Sequence, residues 1–169
     1  IDEAMYFYRG FTFFYLGRFN QALIDFKYLI NENQSKSIAY SLAGESFLRL
    51  NQKDSAIWYL NRAIEMQDCE PQSYITLASI YQENEKHSEA LEIYKHALNL
   101  LNPYEELHQI TSFNIGIIEQ LIEKTEEAQM TFENHLATYP TDYEAFSRLI
   151  QIYTQKNEID KYKPLRDSL

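Results

Sequence analysis

Four histidines, a single cysteine and two glutamates one helical turn apart are the side chains of this sequence most suited to chemistry. Their spacing withholds most of it. His87, His96, His108 and His135 contain no pair at the helical step that would put two imidazoles on one face. Glu105-Glu-Leu-His108 spells one Glu-x-x-His ligand pair of the kind used in di-iron bundles, but such a site takes two copies and two further carboxylates. The second copy is absent, and an exposed first-turn pair is the plainer reading. Glu119 and Glu123 share a helix face, and two carboxylates buried together can do acid-base work. A solvated face beside Lys124 is the simpler expectation. Cys69 lies between Asp68 and Glu70, which raise a thiol pKa rather than lower it, so an ordinary turn residue is expected there. A lone cysteine excludes an internal disulfide and a cysteine-based metal cluster. Asn33-Gln-Ser35 fits a glycosylation triplet, a match too common by chance to carry weight. No catalytic residue, metal set or cofactor follows from these residues.

With 169 residues, 45% apolar and 15% aromatic, the chain has ample material for a core. No run of 18 apolar residues exists, so direct membrane insertion is not expected, and no segment has the charged, apolar, small-residue order of a signal peptide. The chain opens on Ile1 rather than Met, so an address carried upstream would be out of view and the compartment stays open. The balance of 15 basic against 25 acidic residues gives a net charge of -10, with no Lys/Arg cluster. Nucleic acid is not an expected partner, because neutralising phosphates takes a basic stripe. A basic or apolar protein surface suits this charge better.

What orders the chain is a repeat. In Tyr74-Ile-Thr-Leu-Ala78-Ser-Ile-Tyr81 and Ala90-Leu-Glu-Ile-Tyr94-Lys-His-Ala97-Leu, large apolar residues return at steps of three and four, as in a helix with one buried stripe. Ala78, Ala90 and Ala97 fall where two such stripes cross. Ala22, Ala56 and Ala90 recur every 34 residues, and so do Gly10, Gly44 and Ala78. Gly116 with Ala128 opens a fourth copy after four extra residues, and a degenerate fifth follows. Gly17 takes a turn position, so no glycine remains for a phosphate-cradling loop.

This series resembles the tetratricopeptide repeat, whose pattern is an aromatic, Leu-Gly, Tyr, Ala, an aromatic and a closing Pro. The resemblance implies an all-α chain, a right-handed alpha-alpha superhelix of about four full repeats plus a degenerate C-terminal one. On this frame residues 1–169 are a single repeat domain, with copies at 3–36, 37–70, 71–104, 109–142 and a partial 143–169. Residues two to fourteen of each copy are expected to form a first helix, and residues eighteen to thirty a second. Asn20, Asp54, Ser88 and Asp160, with Thr125 one position earlier in the fourth copy, stand where they can cap the second helices. Asn102-Pro103-Tyr-Glu105 predicts a start at Pro103 for a first helix lengthened by about one turn, and Thr141-Asp142-Tyr-Glu144 a similar box. Leu29 stands where the family has a small residue, which predicts a slightly opened hairpin. Tyr162 replaces the crossing alanine of the last copy, and Pro164 falls in its second helix.

In the family it resembles, the first helices line a concave face, which implies a surface that binds a protein or peptide rather than an enzyme site. The residues assigned to that face are Phe7, Tyr8, Phe11, Phe14, Tyr15, Glu45, Arg49, Thr76, Phe113 and Asn114. Five aromatic rings of about 150–250 Å² each make the first copy a patch that monomers rarely leave bare. A bound peptide or helix, a second copy of the chain, or an upstream repeat could each cover it. The basic carboxylate clamp for chaperone tails is not expected, since its places hold Phe7, Phe11, Leu42, Gln72 and Thr76. The leading expectation is a non-catalytic interaction scaffold, and the alternative is a docking arm of a larger enzyme or membrane-associated complex.

Overall fold

The computed structural model describes residues 3–32, 37–66, 68–103, 105–158 and 160. Among these residues every regular element is an α-helix: α1 (Glu3–Tyr15), α2 (Phe19–Asn31), α3 (Ser37–Arg49), α4 (Lys53–Ile64), α5 (Pro71–Glu83), α6 (His87–Leu100), α7 (Glu106–Leu121), α8 (Thr125–Thr138) and α9 (Tyr143–Gln155). The chain forms two compact units, residues 1–84 with α1 to α5 and residues 85–169 with α6 to α9. The boundary falls within the third copy of the repeat.

Inside each unit the hairpins close on the small residues that the period marks. A Cβ on Gly10 would come within 2.9 Å of the Phe26 ring, one on Gly44 within 2.8 Å of Leu60 Cγ, and one on Gly116 within 2.7 Å of the Phe132 ring. Hydrogen in place of a side chain lets the second helix press its large residue onto the first helix's backbone. Ala22, Ala56, Ala90 and Ala128 are completely buried at the matching phase of α2, α4, α6 and α8. Full burial of Phe26 and Phe132 contributes about 1.5–3 kcal/mol apiece. In the second unit the core extends through Ala145, Leu149, Ile152 and Tyr153 of α9, so the degenerate fifth copy packs as a helix.

The turns within hairpins differ from the expected side-chain caps. Gly17, Asn51, Glu85, Glu123 and Asn157 all take left-handed backbone, with φ of 72, 59, 60, 61 and 57°. At four of them backbone bonds close the preceding helix: Gly17 N–H donates to Phe14 O and Arg18 N–H to Phe13 O, and the same pair of bonds recurs at Asn51/Gln52, Glu123/Lys124 and Asn157/Glu158. The next residue then serves as cap for the second helix. Arg18, Gln52, Lys86 and Lys124 hold those places, none with a side-chain cap bond. Asn20, Asp54 and Ser88 are already inside their helices, and Thr125 is the first residue of α8. The tight left-handed turn brings the chain into the second helix two residues early in the first three copies and one in the fourth, which moves the polar side chains past the capping position.

Two further starts are shifted. Helix α7 begins at Glu106, not Pro103, and ahead of it the Asn102 amide donates to Glu105 Oε1 while Glu105 N–H donates to the Asn102 carbonyl. At 16 residues against 13 in α1, α3 and α5 it is nonetheless lengthened by close to a turn. Asp142 caps α9 by accepting from Ala145 N–H at 3.1 Å. The expectations for Tyr162 and Pro164 lie outside the described residues.

Candidate functional site

In the first unit the sequence-predicted residues of α1 form a graded face. Phe7, Phe11 and Phe14 are half-buried, while Tyr8 and Tyr15 are 67% and 71% exposed. The rings run as a ladder along the helix, Phe7 to Phe11 at 6.0 Å and Phe11 to Tyr15 at 4.6 Å, with Tyr8 edge-on to Phe7 at 5.6 Å and Phe14 edge-on to Tyr15 at 5.7 Å. Such centroid distances are those of attractive ring pairs, so the ladder holds its shape while one side faces water. Behind it, Arg9 grips the buried Asp25 of α2 through two bonds of 2.9 and 2.6 Å, and Tyr6 stacks on Tyr28 at 4.0 Å. These contacts fix which side of α1 is left open.

A cavity of about 600 Å³ sits at the N-terminal end of this face, lined by Ala4, Phe7 and Tyr8 of α1, Leu29 of α2, Ile38 and Ala39 of α3, and Glu3, Asp68 and Glu70. Leu29, the large residue at a normally small position, is part of its wall. The acidic rim is anchored, since the Ser37 hydroxyl donates to the Asp68 carbonyl at 2.8 Å. Farther along, Glu45 of α3 is half-buried, and burial pushes its carboxyl up while Arg49 draws it partly back. Arg49 is exposed, whereas Thr76 of α5 is buried and accepts from the Gln72 amide at 3.2 Å. Cys69 is half-buried, and burial with Asp68 and Glu70 pushes its thiol up against the opposing bonds of Ser73 and Ser41.

The second unit is built differently. Phe113 leans on the core beside Phe132 at 5.9 Å, and the Asn114 amide reaches the Tyr94 hydroxyl at 3.5 Å. The chemistry here lies in a network that the sequence did not disclose. His135 is buried between Ser112 Oγ, 2.7 Å from Nδ1, and Asp142 Oδ2, 3.0 Å from Nε2. Gln109 donates to the same Asp142 oxygen at 3.1 Å, and Tyr139 pairs with His108 Nδ1 at 2.8 Å. Burial pushes the Asp142 carboxyl up, but the bonds from Ala145 N–H, Gln109 and His135 outweigh it and hold the group below its ordinary range. Burial lowers His108, and His135 adds to that.

Serine, histidine and aspartate in series have the composition of an acyl-transfer triad, but the geometry is that of a clasp. The Ser112 hydroxyl is buried in mid-helix, at the wall of a cavity of about 330 Å³, and is shared between the His135 ring and the Gln109 carbonyl, the latter at 3.0 Å. Ser112 belongs to α7, His135 to α8 and Asp142 to the cap of α9, and their bonds tie the three together. One signal could have found it: His135 occupies the position filled by Ala63 and Ala97 in the second and third copies.

Glu119 corrects another expectation. It is buried rather than solvated, with Lys95 at 2.9 Å and the Thr131 hydroxyl at 2.6 Å, while Glu123 sits exposed in the left-handed turn. The two carboxylates therefore form no dyad. Among the described residues no group of three or more His, Cys, Asp or Glu could hold a metal, and no helix is long and apolar enough to cross a membrane.

Residues 70–141 match the tetratricopeptide repeat family model. The solved structure of MamA AMB-1 is similar at a TM-score of 0.80 and 16% identity, over 98% of this chain and 88% of that one. A second MamA protein structure gives 0.81 and 15% over the same shares. The Pseudomonas aeruginosa pilF structure gives 0.73 and 15%, over 98% of this chain and 73% of that one. No curated protein matches. These identities establish the fold, an all-α solenoid of tetratricopeptide type, and the repeat itself is recognised across 70–141.

Proposed function

We propose that this tetratricopeptide-type chain is a non-catalytic interaction scaffold, acting as one repeat domain over 1–169, and that it takes a peptide or helix of a protein partner on the open face of α1 and α3. The observation that carries the reading is the aromatic ladder of α1, in which Tyr8 and Tyr15 keep most of their surface in water although neighbouring rings hold them in place. Ordered, exposed rings of this kind supply large contact area at low entropic loss on binding, which is why tyrosine is frequent at binding hot spots. The chaperone-tail alternative finds no support in charge, since Phe7, Phe11, Leu42, Gln72 and Thr76 offer no cation for a terminal carboxylate.

The test is affinity capture with the wild-type chain beside a Phe7→Ala/Phe11→Ala/Tyr15→Ala variant, with circular dichroism to check that the helices remain. Ligands retained by the wild type and lost by the folded variant support the reading. An identical set of captured proteins would end it.

A further inference from the structure

The chemistry of the occupant can be read from the cavity at the head of this face, an inference that rests on the scaffold reading above. Three carboxylates, Glu3, Asp68 and Glu70, stand exposed around an apolar floor of Phe7, Leu29 and Ile38, and no Lys, Arg or His is among the described lining residues. Arg9, the nearby cation of α1, is held by Asp25 through two short bonds. Ser37 holds the backbone carbonyl of Asp68, which anchors the turn that carries two of these carboxylates and shortens the ordering that binding would need there. At about 600 Å³ the space is within the range of pockets that bury a compact ligand, enough for apolar side chains one helical turn apart. Tyr8 adds an exposed ring face at the mouth, a surface that attracts an ammonium or guanidinium group.

We propose that this groove accepts a basic amphipathic segment of a partner protein, its apolar side chains seated against Phe7, Leu29 and Ile38 and its Lys or Arg residues facing Glu3, Asp68 and Glu70. A second copy of the chain fits less well, because each copy carries a net charge of -10 and would bring carboxylates to a carboxylate rim.

The probe is a fluorescein-labelled helical peptide of about five turns, with Leu along one face and Lys on the other, read by anisotropy against the full chain. Its twin carries Glu in place of Lys. The Lys peptide is expected to bind and to weaken about tenfold with Asp68→Asn/Glu70→Gln and with Tyr8→Ala, changes at exposed positions that leave the fold intact. Glu126→Gln/Glu127→Gln, an exposed pair on α8, is expected to leave binding within about twofold of wild type. The Glu twin is expected not to bind. Equal weakening by the α8 pair would overturn the proposal in favour of diffuse attraction to an acidic protein. Equal binding of both peptides, lost together in Tyr8→Ala, would overturn the charge assignment while leaving the scaffold reading intact. If Tyr8→Ala affects neither peptide and the capture experiment is also blank, both readings fail together. Self-association in sedimentation velocity that Tyr8→Ala abolishes would replace the partner segment with a second copy.

Discussion

Leu29 and His135 hold the same phase of the repeat in the first and fourth hairpins, where the second and third copies place Ala63 and Ala97. Both large residues are buried, and both border a cavity, of about 600 Å³ beside Leu29 and 330 Å³ beside His135. Neither alanine lines a described cavity. The two units treat the space beside the large residue in opposite ways. The first surrounds it with apolar side chains and leaves it open to an acidic rim. The second lines it with Ser112 and His135, whose bonds run on to Asp142 and so fasten three helices. The lesson is that one enlarged position can yield either a docking pocket or an internal clasp, depending on whether the new side chain brings polar atoms that need partners.

The sharpest test of that contrast is His135→Ala, expected to lower stability to urea by about 2–4 kcal/mol because Ser112 and Asp142 lose their shared partner inside the protein. Combining it with Asp142→Ala should cost clearly less than the two single losses together, the mark of coupled groups. Leu29→Ala is expected to cost about 2–3 kcal/mol through lost packing alone. If His135 and Asp142 behaved additively, the clasp would be only a set of neighbours.

At the helix crossings of the second unit, two substitutions should respond alike. Gly116→Ala, whose new Cβ would meet the buried Phe132 ring, and Ala90→Leu are each expected to cost about 1–3 kcal/mol in the same measurement. An unchanged melting temperature for Ala90→Leu would mean that the register is wrong.

A smaller effect of opposite sign is expected at the turns. Glu123 spends its φ of 61° in a region that a Cβ disfavours, so Glu123→Gly should stabilise by about 0.5–1 kcal/mol, while Gly17→Ala should destabilise by about 1 kcal/mol. Calorimetric melting of both variants checks the sign at each end of the comparison.

The smallest expected effect is a pH slope confined to the second unit's network. Asp142 and His108 both have folded pKa values below their ordinary ones, so the native state binds fewer protons than the unfolded chain and stability rises with pH. Their contribution is present above the ordinary histidine value of 6.5 and is lost as pH falls through the lowered His108 range and then below the ordinary aspartate value of 3.8. Melting temperature followed from pH 7 downward should decline less steeply in Asp142→Asn. A parallel decline would separate the network from the acid sensitivity.

Most of the hairpin packing was legible before any coordinates. Gly10, Gly44, Gly116 and the alanines marked the crossings because only minimal side chains let two helices approach so closely, and volume is written in residue type. The turns were legible only in part. Gly17, Asn51 and Asn157 are residue types that tolerate left-handed backbone, but Glu85 and Glu123 occupy the same phase without advertising it. Capping side chains were expected where backbone bonds do the work, since the five-residue closure of the preceding helix leaves the chain already turned into the next. Of the candidate face, the aromatic run of α1 stood out by composition, whereas the acidic rim of Asp68 and Glu70 belongs to a turn distant from α1 in sequence.

By itself the sequence determined the interval, the helical period and the sites of closest approach, because each depends on properties that a residue carries wherever it lies. Tertiary structure alone decided that Glu119 would meet Lys95, that Asp25 would be held by Arg9, and that His135 would find Ser112 and Asp142. Charges and hydrogen-bonding groups are fixed by distance and direction between helices, and a linear pattern records neither.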